Sequence, residues 1–141
     1  MLRFLCWVWL GLVLGVSFLA APIKFYAPTL DLPTALDVGR VTFHLLNRIE
    51  WILSATLVYL AFLQHRSTRF EPTSWILTGA VLLIVGLQTF WMLPVLDLRV
   101  AAILRGESIP PSALHTVYIG VELAKVGVLG VLGAVGERAG R

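Results

Sequence analysis

The sequence is poor in charge, with Asp, Glu, Lys and Arg making up 13% of its 141 residues. It is poorer still in cysteine. Cys6 is the single one, which rules out an intramolecular disulfide and any cysteine-based metal cluster. A net charge of +3 would fit a nucleic-acid binder if the basic residues were clustered, but they form no run and do not alternate with aromatics, so nucleic acid is not an expected partner. Nucleophile-elbow, phosphate-loop, His-Glu-x-x-His and paired-cysteine patterns are all missing, which leaves the catalytic residues of any enzyme unassigned.

What the chain has instead is apolar length. Hydrophobic residues make up 58% of it and the mean hydropathy is +0.87, a balance suited to lipid rather than water. A helix needs about 20 apolar residues to cross a bilayer, and four such stretches are predicted, at about 4–21, 41–63, 74–96 and 113–135. The fold class is therefore all-α, an integral membrane four-helix bundle in a single domain, with the lipid bilayer as its first partner. The first stretch is read as stopping at Pro22 and is followed by a proline-rich loop to Arg40, with Asp37 placed to cap the second helix. The third carries no charge from Ser74 to Leu96, and Pro94 is expected to kink or end it. Two strips of small residues, Gly11 with Gly15 and Gly127, Gly130, Gly133 and Gly136, are suited to close helix approach, within the chain, in a homo-oligomer or in a larger membrane complex. The tail from Glu137 to Arg141 is read as mobile.

The opening Met1-Leu2-Arg3 and apolar run resemble a signal peptide, but Phe18 and Leu19 are too bulky at the positions that precede a cut after Ala20 or Ala21, so the segment is read as a retained first helix. With four spans, Arg3, Arg66, Arg69, Arg138 and Arg141 share one side, and Lys24, Arg40, Arg99 and Arg105 the other. The positive-inside rule then puts the termini in the cytoplasm, in a membrane of the bacterial inner type. The tryptophans at 7, 9, 51, 75 and 91 are read as interfacial anchors or packing residues, and His65 as solvated among the loop arginines.

The informative residues are the polar ones inside these spans. A charge at the bilayer centre costs at least ~2.5–3.5 kcal/mol, so Arg48, Glu50, Glu122 and Lys125 are expected to pair across helices, Arg48 and Glu50 being too close in sequence to face one another. The second helix aligns His44 and Asn47 with Glu50 alongside, and the fourth aligns His115, Tyr118, Glu122 and Lys125 on a single stripe. At ~1.5 Å per residue the two histidines lie at matched depth, as do the two glutamates, with Gln88 of the third helix level with the latter. These residues predict a polar pocket lined by helices two, three and four and open on the side away from the termini, with Lys24, Tyr26 and Asp97 above it. Haem or copper held by His44 and His115 is the alternative, although neither histidine has a ligand motif around it.

Leu10-Gly11-Leu12-Val13-Leu14-Gly15, then Phe18-Leu19-Ala20-Ala21-Pro22-Ile23-Lys24-Phe25, with Pro94-Val95-Leu96 and Leu114-His115 further on, resembles the four-helix family typified by transmembrane protein 205. That resemblance implies a membrane bundle of this size without a settled chemistry, and His115 as a site residue. It extends to the copper-resistance D group and to a four-helix protoporphyrinogen oxidase, which relies on a histidine in helix one and a lysine in helix three. Here helix one offers Cys6 and Ser17, and helix three offers Gln88. The expected role is a non-enzymatic accessory or small-ligand-binding membrane protein with no cofactor. The alternatives are a membrane oxidoreductase or metal-handling protein, and a structural subunit of a larger complex.

Overall fold

The computed structural model describes residues 1–67, 72–110 and 112–138. They form four long helices: α1 (Leu2–Tyr26), α2 (Leu32–Ser67), α3 (Pro72–Leu104) and α4 (Leu114–Arg138). All four contain stretches long and apolar enough to cross a membrane, and the protein is a multi-pass membrane bundle. α1 packs on α2 and α4, and α3 on α2 and α4, so the helices form a closed ring. Short connections make neighbours antiparallel, and both chain ends lie at one end of the bundle. Large apolar side chains such as Phe4, Ile52, Leu83 and Phe90 cover the outside, as a lipid-facing surface requires.

Helix α2 begins at Leu32, nine residues before the expected start at Val41. Pro33 falls in the first turn, where its missing N–H costs nothing, and Asp31 rather than Asp37 caps the helix, its Oδ1 accepting from Thr34 N at 3.3 Å. Asp37 instead holds Arg40 on the same helix. Nor do Pro22 and Pro94 end their helices. Each follows a widened π-type stretch, 14–20 in α1 and 88–92 in α3, and helix resumes with the proline in its first turn. A widened turn makes room for a ring that would clash with the preceding carbonyl. Gly106, at φ 77°, closes α3, Gly106 N bonding Ile103 O and Glu107 N bonding Ala102 O. Ser112 Oγ caps the start of α4 through Leu114 N at 3.1 Å.

The interior has two apolar layers. Near the chain ends, Cys6, Trp9 and Val13 of α1 meet Leu57, Ala61, Val81, Val85, Leu129 and Leu132. At the opposite end a smaller group, Met92, Leu93 and Tyr118, packs with Phe43 and Leu96. Gly133 lets α1 close onto α4, since a Cβ there would stand 3.2 Å from the Trp7 ring, and Gly130 faces Leu10. Gly11, Gly15 and Gly127 face open space within the chain, so the expected close approach rests on only part of these strips. Gly136 and the loop residues 67–71, Arg69 among them, lie outside the described side chains, as do Ala139 to Arg141 of the tail.

Candidate functional site

Between the two apolar layers lies a buried ionic cluster. Each long helix supplies one wall because each carries a polar residue on its inward stripe at about half its length. Lys125 of α4 is 0% exposed, and its ammonium reaches Glu50 Oε1 of α2 at 2.5 Å, Glu122 Oε1 one turn back at 2.9 Å and Gln88 Oε1 of α3 at 2.8 Å. Gln88 Nε2 donates to Glu122 Oε1 at 2.6 Å. Trp9 Nε1 donates to Glu50 Oε1 at 3.0 Å, and Ser17 Oγ to Glu122 Oε2 at 3.1 Å, so α1 closes the network from the side where no polar wall is predicted. All three donors of the lysine are used on oxygen, as a buried charge demands.

Arg48 takes no part in this pairing. It is exposed on the outer surface of the bundle, and no described residue pairs with it. Two residues on a helix lie about 200° apart, so a chain that turns Glu50 inward turns Arg48 to the outside. Trp9, one of the tryptophans read on sequence as interfacial anchors or packing residues, is a packing residue: it is 0% exposed at the floor of the cluster. Its spacing from Leu2, Cys6 and Val13, one buried α1 stripe that runs on to Ser17, is the signal that places it.

Above the cluster, at the end away from the termini, a cavity of about 470 Å³ opens outward. Of the residues expected to line a pocket, His115, Tyr118 and Glu122 do so, joined by Lys24, Tyr26 and Asp97 at the mouth. Asn47, Glu50, Gln88 and Lys125 lie buried and do not line it. His44 is engaged by Asp97, Nε2 to Oδ2 at 2.7 Å, while His115 is exposed. Most of the wall is apolar, from Phe18, Ala21 and Pro22 of α1, Leu36 and Phe43 of α2 and Leu93 of α3. The sequence predicts no α1 wall and a loop over residues 32–40. Continuation of α1 beyond Pro22 and the early start of α2 build this side of the cavity.

A second polar set involves Asn47 and Trp51 of α2 and Thr89 of α3. Trp51 Nε1 donates to Thr89 Oγ1 at 2.9 Å, and that hydroxyl lies 3.0 Å from Asn47 Oδ1. Asn47 Nδ2 and Ser54 Oγ, one turn to either side of Glu50, are buried without a partner among the described residues, the usual sign of a place for ordered water. Towards the chain ends the apolar layer around Leu57, Val81 and Leu129 closes the bundle beneath. Among the described residues no group of three or more His, Cys, Asp or Glu side chains is gathered for a metal ion.

In the loop between α3 and α4, Arg105 Nε bonds Glu107 Oε1 at 2.6 Å, which draws the exposed carboxyl below its ordinary range. This pair stands apart from the cavity.

No curated protein and no solved structure matches the chain. A family model matches residues 4–97, from the start of α1 to Asp97, so that Trp9, Ser17, Lys24, Glu50 and Gln88 fall inside it and the α4 residues beyond it; the chain belongs to the family of the domain of unknown function DUF4149.

Proposed function

We propose that this protein is a non-enzymatic membrane protein that binds a small, largely apolar molecule in the cavity at the end of the bundle away from its termini. The observation that carries this reading is the cavity itself: about 470 Å³, walled by Phe18, Phe43 and Leu93 and floored by Glu122. Small-molecule sites run from about 300 to 1,000 Å³ and combine apolar walls with a few fixed polar groups. Glu122 is held by Ser17, Gln88 and Lys125, so it meets a ligand as an oriented group rather than a mobile one. The ionic cluster in this reading is the rigid base of the site. The apolar layer below it makes the site a dead end, not a passage.

The five-to-four excess of basic residues on the side of the termini supports cytoplasmic ends, which turns the mouth outward from a bacterial inner membrane. Reporter fusions at the two ends and in the 105–113 loop test that orientation.

The binding test is native mass spectrometry of the protein released from detergent after incubation with dodecanol, a neutral chain that fits the walls. The protein is expected to carry one dodecanol, and Ala21→Trp, which fills the cavity, is expected to abolish it. Equal retention by Ala21→Trp, or no retention by either, refutes the proposal.

A further inference from the structure

Charge at the mouth of the cavity is unevenly matched. Asp37 is taken by Arg40, through Nε at 2.9 Å and Nη2 at 2.6 Å, and Asp97 by His44 at 2.7 Å. Glu122 on the floor shares the Lys125 ammonium with Glu50 beneath it. That leaves Lys24, which lines the cavity with no carboxylate partner among the described residues. Its ammonium lies near two ring faces, 5.1 Å from the centroid of Phe25 and 6.0 Å from that of Phe43. It also lies directly against Gly39 of α2, where a Cβ would collide with Nζ. The absence of a side chain at 39 therefore lets the lysine lean across α2 into the cavity mouth. A cation held at an apolar site with its hydrogen-bonding capacity unspent is a receptor for an anion.

Size narrows the class further. At roughly the 30 Å³ that a small group such as a water takes in the liquid, the cavity holds on the order of fifteen non-hydrogen atoms. One chain of about twelve carbons with a compact head is of that size.

We propose that the cavity is selective for a single-chain acidic amphiphile, an alkyl carboxylate or alkyl phosphate, whose anionic head is held by Lys24 at the mouth and whose chain runs between Phe18, Phe43 and Leu93. This rests on the ligand-binding reading above and adds the sign of the head. The free acid and the phosphate monoester share the recognition chemistry, and the experiment separates them.

The experiment is a competition read by native mass spectrometry. Wild-type protein, Lys24→Gln, Lys24→Arg and Gly39→Ala are each offered dodecanoate, dodecyl phosphate, dodecanol and dodecylammonium. One charge-assisted hydrogen bond gives a preference of about tenfold. Wild type is therefore expected to favour dodecanoate or dodecyl phosphate over dodecanol by about tenfold, and whichever acid is retained better identifies the head. Lys24→Gln is expected to lose the preference while still binding dodecanol, Lys24→Arg to keep it, and Gly39→Ala, which displaces the ammonium without removing it, to reduce it. Equal binding of all four compounds by wild type, a preference for dodecylammonium, or a preference that survives Lys24→Gln overturns the proposal and leaves the cavity as a neutral site. Failure to bind any of the four overturns both readings together.

Discussion

Replacing Lys125 by methionine keeps most of the side-chain volume and removes the charge. Wild-type Lys125 is 0% exposed and is shared between Glu50 and Glu122, each 1% exposed. Without it two carboxylates are enclosed together with no cation, and removing one partner of a buried pair costs about 3–5 kcal/mol. The cost belongs to the uncompensated charge and not to lost packing. The triple variant Lys125→Met, Glu50→Gln, Glu122→Gln is therefore expected to recover most of the loss, because neutral replacement of a whole buried ion group is often close to neutral in stability. The single variants Glu50→Gln and Glu122→Gln each leave one carboxylate for the lysine, and their two costs are expected to sum to less than the cost of their combination, which strands the ammonium. That shortfall in additivity is the signature of a shared partner. Equilibrium unfolding in mixed detergent and denaturant micelles, followed by circular dichroism, measures the wild type and all five variants. A loss below about 1 kcal/mol for Lys125→Met, the range of exposed ion pairs, or a triple variant no better than the single one, refutes the enclosure of this cluster.

Two further predictions concern the outside of the bundle and its closest helix contact. Arg48→Leu removes an exposed charge from the lipid-facing side of α2 and is expected to raise stability by about 1–2 kcal/mol in the same unfolding assay, less than the full central-membrane cost because a long side chain snorkels; a loss of stability would reveal a partner for this arginine. Gly133→Leu forces a side chain into the Trp7 ring and is expected to cost about 1–3 kcal/mol, whereas Gly127→Ala meets nothing within 4 Å and is expected to gain about 0.5–1 kcal/mol in helix propensity, the two compared by thermal unfolding.

Much of this architecture is legible in the sequence. Apolar length sets four spans, and their antiparallel order puts 44, 97 and 115 near one end. Helical periodicity aligns Tyr118, Glu122 and Lys125, and rise per residue puts Glu50, Gln88 and Glu122 at one depth. Depth and phase along one helix are properties of that helix, and the sequence carries them. How each helix is rotated against the others is decided by packing. That rotation sends Arg48 outward where Glu50 goes inward, selects Glu50 and Gln88 as the partners of Lys125, and brings Trp9 and Ser17 of α1 into a cluster for which no α1 wall was expected.

The widened stretches at 14–20 and 88–92 enlarge the difference. An extra residue in a turn advances everything after it by about 100° around the axis, so simple periodicity loses phase before Lys24 and Asp97, both at the cavity mouth. The sequence by itself determined that charge had to be buried in a membrane, and at what depth. Only the tertiary structure decided which charges were matched and that Lys24 was left over, because matching depends on distances between helices that no single helix contains.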